Sequence, residues 1–275
     1  MTTMIDINDN DINIDDILRY KDKNFNIHEQ LLPYVDNFSN HKKFRTNPTS
    51  WRQNQKTNWL LTNKLNQDDT TKLYTSINDL LNKLSESNIE SVINSINELK
   101  ILTDKDIQYL VNTLINESIR NHKFTELYAK LSYKLGSFYV MYNNEKIHFR
   151  EMLVSQCQDL FEEYMQDITK VNEIKFTGLS RMIAYLYNFN VLSGTVIFLC
   201  FDNIYDNLHK APSITVPSLC NFMSIVGKKY YERDIKNAEK CMQKMNTIQE
   251  DKNIGRREKY LVLDLLDVKT KEKWI

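Results

Sequence analysis

The stretch from Leu73 to Leu99 limits what this chain can fold into more than any other. Leu73, Ile77, Leu80, Leu81 and Leu84 recur at spacings of three and four. The polar run Ser85-Glu86-Ser87-Asn88 follows, and Ile89, Val92, Ile93, Ile96 and Leu99 then repeat the pattern. Each run has a single apolar stripe, the mark of an amphipathic helix. A connection of so few polar residues forces the two helices to lie antiparallel. The same unit recurs to the C-terminus. The periodicity predicts helix pairs over 70–84 with 87–101, 104–121 with 124–142, 147–169 with 175–189, 193–208 with 216–231, and 234–249 with 256–268. Thr103-Asp104-Lys105-Asp106 reads as a helix N-cap with an acidic residue near N3. Residues 143–146 read as a polar loop, and a second loop is expected to hold Pro212 and Pro217. Equivalent positions of successive pairs lie about 35–45 residues apart, the pitch of helical-repeat solenoids. The expected fold class is all-α: a HEAT-like solenoid of five antiparallel helix pairs over 68–275, preceded by a poorly ordered arm over 1–67.

Composition agrees. Five Gly and four Pro in 275 residues leave few breakers, which favours helices over a many-turned β fold. Lys+Arg and Asp+Glu balance at 36 each, so any nucleic-acid contact must rest on local patches. Cys157, Cys200, Cys220 and Cys241 are far apart with no CxxC, which reads as buried free thiols in a reducing compartment. No run nears the roughly 20 apolar residues of a membrane span, and no basic-then-apolar N-terminal segment suggests a signal peptide. The expectation is a soluble cytoplasmic protein. The wealth of Asn, Ile, Lys and Tyr points to an AT-rich genome.

No nucleotide-binding glycine loop, zinc-protease motif or nucleophile elbow occurs. His28, His41, His122, His148 and His209 are isolated, and the Glu162-Glu163 couple reads as a solvated helix face. The sequence offers no catalytic residue, metal ligand set or cofactor site, so no enzyme is expected. The arm is acidic first and basic later. Residues 1–17 alternate Ile with Asp and Asn, as either a disordered acidic arm or a short partner-binding segment. Lys42, Lys43 and Arg45 flank Phe44, forming either a solvated linker or a contact to RNA phosphates. Trp51 and Trp59 sit among polar neighbours, where a Trp either folds back onto the domain or anchors a partner.

Several separated stretches, in order, resemble the middle domain of eukaryotic translation initiation factor 4G. They are Leu81-Asn82-Lys83-Leu84; Phe124-Thr125-Glu126-Leu127-Tyr128-Ala129; Phe149-Arg150 with Cys157-Gln158; and Ile174-Lys175-Phe176-Thr177-Gly178-Leu179, where Leu179 takes a position the family gives to Glu. Leu219-Cys220, Val226-Gly227-Lys228 and the closing Lys259-Tyr260-Leu261-Val262-Leu263-Asp264-Leu265-Leu266-Asp267-Val268-Lys269 with Trp274 complete the set.

The resemblance implies a scaffold that clamps a DEAD-box RNA helicase of the initiation factor 4A type and binds RNA. A rigid solenoid touching both helicase lobes favours the conformer whose contact surfaces match its spacing. One contact surface is implied around Trp51 and the first repeat, including Leu81, Asn82, Lys83 and Leu84, with Leu81 and Leu84 divided between core and groove wall. The other is implied at Arg256, Arg257, Lys259 and Tyr260, with core packing as the alternative for Tyr260. Lys42, Lys43, Arg45, Lys228 and Lys229 are the candidate RNA contacts. Direct contact with the cap-binding protein is not supported by the arm. Its Y-x-x-x-x-L-Φ pattern (Φ apolar) occurs only at Tyr109-Leu114-Ile115 and Tyr260-Leu265-Leu266, on expected core stripes. The chain reads as middle domain plus arm, an architecture and composition that fit a large DNA virus or a protist version. The alternatives are a middle-domain adaptor in mRNA decay, splicing or poly(A)-binding-protein recruitment, or an RNA-binding module with no helicase partner.

Overall fold

The polar breaks place the helix ends close to where the periodicity puts them. A computed structural model describes residues 69–274, and the expectations for Trp51, Trp59, Lys42, Lys43, Arg45 and the rest of the arm lie outside the described residues. Among the described residues, ten α-helices form five consecutive pairs. They are α1 (Asp69–Asn82) with α2 (Ile89–Glu98), α3 (Asp104–Arg120) with α4 (Thr125–Lys134), α5 (Phe149–Gln166) with α6 (Glu173–Asn188), α7 (Gly194–Asp206) with α8 (Pro212–Arg233), and α9 (Ile235–Glu250) with α10 (Arg256–Glu272).

Local chemistry fixes the ends. Between α1 and α2 the Asn88 carboxamide accepts the Ser85 amide at 2.8 Å and donates to the Lys83 carbonyl at 2.7 Å, closing the turn. At α3 the expected cap is present in full. Thr103 Oγ1 accepts the Asp106 amide, and the Asp106 carboxylate accepts the Thr103 amide. Asn172 caps α6 and Asp234 caps α9 by accepting first-turn amides.

Two expectations are corrected. The helix over 124–142 stops at Lys134. Residues Tyr139–Tyr142 (β1) and Glu145–His148 (β2) form an antiparallel hairpin, so residues 143–146 are not one polar loop. Asn143 and Asn144 hold φ of 51° and 66°, the left-handed pair that a two-residue hairpin turn demands. The second correction concerns the prolines. Pro212 is the first residue of α8 and Pro217 lies inside that helix, buried, rather than in a loop. Pro at the first position sacrifices only an amide that has no helical partner.

The pairs stack into one continuous core that includes Ile77, Leu110, Phe149, Phe176, Phe201, Phe222 and Trp274. The second helices α4, α6, α8 and α10 pack each on the next, and α3 also lies against α6. Two crossings need glycine. A Cβ on Gly178 would lie 2.9 Å from the Ile119 carbonyl oxygen, and one on Gly227 would lie 2.2 Å from the Trp274 ring. Among the first helices, α1 packs on α3, α3 on α5, and α7 on α9, but α5 and α7 barely touch.

Candidate functional site

The two sequence-derived contact surfaces fall on the first and last pairs, and the structure treats them differently. At the first pair Leu81 and Leu84 belong to the core and form no groove wall. Leu81 is further fixed by its carbonyl, which accepts the buried Tyr128 hydroxyl at 3.2 Å. Asn82 and Lys83, between them, are exposed.

At the last pair, Arg256, Tyr260 and Leu263 follow one another at four and three residues and so share one helix face. All three are exposed, Tyr260 at 64% and Leu263 at 45%. Arginine and tyrosine are residue types enriched in interface anchors, and Leu263 adds apolar area on the same face. Tyr260 is therefore not a core residue. Arg257 leaves this stripe, its guanidinium lying 3.7 Å from Glu173 of α6. Lys259 is half-buried, and its carbonyl accepts the Gln249 carboxamide at 2.7 Å, which ties the turn between α9 and α10. The helix is held from beneath by Val262, Leu265 and Trp274, all buried. Leu263 was hidden to sequence reasoning because it sits in an apolar run. The signal that could have found it is its register with Arg256 and Tyr260.

The candidate RNA contacts also divide. Lys228 is exposed. The Lys229 ammonium donates to the carbonyls of Tyr187 and Asn188 and to Asn190 Oδ1, and lies 5.4 Å from the Tyr187 ring centroid. Burial, then Arg233, pushes it below the usual lysine range. Lys229 is thus a structural clasp between α8 and the end of α6 rather than a free phosphate contact.

The first cap-binding-pattern match serves packing, whereas the second begins at the exposed Tyr260 and so lies only partly on a core stripe. Tyr109 stacks on Tyr74 with centroids 3.8 Å apart, and Leu114, Ile115 and Leu265 are buried. Among the described residues, no three His, Cys, Asp or Glu side chains are grouped to hold a metal ion, and no helix is long and apolar enough to cross a membrane.

The MIF4G domain model matches residues 61–272, about three quarters of the chain. The chain belongs to the MIF4G domain family. It is a middle domain of the initiation-factor-4G type, in a family of scaffold domains. Eukaryotic translation initiation factor 4G of Cucumis melo is 20% identical over 236 residues, covering 77% of this chain and 12% of that protein. Eukaryotic translation initiation factor 4 gamma 1 of Mus musculus is 18% identical over 239 residues, covering 75% and 15%. This MIF4G chain thus matches only 12–15% of the length of these relatives. Among solved structures, the MIF4G domain of Trypanosoma cruzi translation initiation factor EIF4G5 is 18% identical, with a TM-score of 0.47, covering 74% of this chain and 96% of that one.

Proposed function

We propose that this MIF4G domain is a translation-initiation scaffold that binds and activates a DEAD-box RNA helicase of the initiation factor 4A type and contacts RNA. The observation that carries the reading is the exposed Arg256–Tyr260–Leu263 stripe on the last helix, in a domain of the initiation-factor-4G type. Asn82 and Lys83 at the first pair are the second proposed contact, together with Trp51 upstream of that pair in sequence. Lys228 and the Lys42, Lys43 and Arg45 cluster are the proposed RNA contacts. This reading carries with it a cytoplasmic location.

A scaffold that touches two lobes acts by differential binding. Each tenfold shift in the helicase's open-to-closed ratio requires about 1.4 kcal/mol of preference for one conformer. A buried aromatic anchor is worth about 2 kcal/mol or more, so one tyrosine engaged in a single conformer suffices for that shift. The test is a binding titration with a purified factor-4A helicase. Tyr260→Ala is expected to weaken binding about thirtyfold, the equivalent of about 2 kcal/mol. Its urea midpoint should stay at the wild-type value because the side chain is exposed. Unchanged affinity in the folded variant would remove the last helix from the interface.

A further inference from the structure

The row of first helices is interrupted once. Contacts between neighbours run from α1 to α3 to α5 and again from α7 to α9, but α5 and α7 are splayed. The gap is built in by tethers on both sides. Arg150, at the start of α5, donates to the Val191 carbonyl at 2.7 Å and so pins that helix to the turn after α6. On the far side α7 is held to α9. Lys244 pairs with Asp202, the Tyr205 hydroxyl meets Thr247 Oγ1 at 2.7 Å, and Lys240 lies over the Phe198 ring. Small side chains, Val154 and Cys157 on α5 and Val196 and Cys200 on α7, face the space between.

The result is a cavity of about 430 Å³ with Ile183 of α6 and Phe161 among its lining residues. It continues into a second, about 840 Å³ recess through the shared Val154, Gln158, Leu192 and Val196. Leu199 stands on its edge, 54% exposed. The α5 wall is acidic. Glu151 and Glu162 line the two recesses, and the basic residue among their lining is Arg150. Arg150 is already committed to backbone carbonyls. Asp202 and Asp206 of α7 are turned instead to Lys244 on α9.

We propose that this groove docks a basic amphipathic helix of a protein partner, with the partner's apolar stripe over Val154, Val196 and Leu199 and its lysines or arginines against Glu151 and Glu162 of α5. An apolar slot bordered by helices receives helical anchors at i, i+3, i+4 and i+7. At 1.5 Å per residue the 13-residue α7 offers about 20 Å of wall, enough for about four turns of a partner helix. The carboxylates of the α5 wall repel a phosphate backbone and set the required charge of the partner. The Arg256–Tyr260–Leu263 stripe lies on another helix, so the two surfaces are separate.

The test uses the full chain and a labelled helical peptide of about 18 residues, built from Leu at i, i+3, i+4, i+7 spacing and Lys elsewhere. Anisotropy is expected to show micromolar binding that weakens with salt, and no binding of the same peptide with Glu for Lys. Leu199→Ser should weaken binding about tenfold. Leu102→Ser, at an exposed leucine away from the groove, should leave it unchanged. Helicity by circular dichroism should match wild type for both variants. Four results would overturn the proposal: no binding of the Lys peptide at about 100 µM (an affinity below any specific docking), equal binding of the Glu peptide, equal effects of the two substitutions, or a wild-type dimer that Leu199→Ser dissociates, which would give the groove to a second copy.

Discussion

Single residues in this chain serve packing first. The side chains that carry the family resemblance are largely interior. Tyr128 reaches the Leu81 carbonyl, Arg150 holds Val191, Gly178 lets α6 approach Ile119, and Gly227 makes room for Trp274. Gly227→Ala puts a methyl group where Trp274 ring carbons already sit, which overpacking converts into a loss of about 1–3 kcal/mol. Gly194→Ala meets only the Tyr230 ring, at 3.4 Å, and should stay within about 0.5 kcal/mol of wild type. Urea titrations of the two variants check the contrast. The thiols give a pH prediction. Burial pushes Cys157, Cys200, Cys220 and Cys241 up to about 12. Unfolded thiols ionise near 9, so between pH 9 and 12 the unfolded chain binds fewer protons than the folded one. Stability contributed by the thiols is therefore whole below pH 9 and falls as pH rises toward 12. Urea midpoints across that range, compared with a Cys157→Ala variant whose fall is shallower, check the sign. The resemblance made the fold legible because interior residues are constrained by contacts. The same constraint explains why Leu81, Leu84 and Lys229 were poor guides to a surface: each is held by the interior it helps to build.

At the scale of elements, periodicity located all ten helices, and the clearest was α3 with its Thr103–Asp106 cap. It failed where a strand wore a helix's pattern. Leu131, Leu135 and Phe138 keep helical spacing, yet the helix ends at Lys134 and the chain turns through Gly136 into Tyr139-Val140-Met141-Tyr142. The β-branched and aromatic residues of Tyr139–Tyr142 before Asn143-Asn144 were the signals for a hairpin, but four residues are too few to outweigh the helical run before them. Both asparagines hold positive φ, which a β-branched residue tolerates poorly. Asn144→Val should therefore open the β1–β2 ladder, while Asn144→Gly should preserve it. Amide exchange at Val140 and Ile147 reads the difference, with faster exchange expected for the valine variant alone. Helix α8 taught a related lesson. Pro217 read as a loop residue because proline interrupts helices, but it lies within α8's first two turns and is buried by neighbouring helices.

Across the described residues, five pairs share one core that joins first and last helices set far apart in sequence. A shared core of this kind suits a scaffold, because a body that keeps its spacing can prefer one arrangement of a two-lobed partner over another. Under the proposed reading, the exposed Arg256–Tyr260–Leu263 face is one end of that contact. The family and the stack were readable from the order of apolar stripes and motifs. The proposed contact surfaces were less so, since an exposed leucine inside an apolar run looks like core until the helix is turned to show its face. The direct test of the central claim is the RNA-stimulated ATPase rate of a factor-4A helicase, measured with and without the full chain and with Tyr260→Ala. The account predicts stimulation by the wild-type chain that the folded Tyr260→Ala variant weakens. An ATPase rate unmoved by wild-type chain at concentrations that saturate RNA would contradict it.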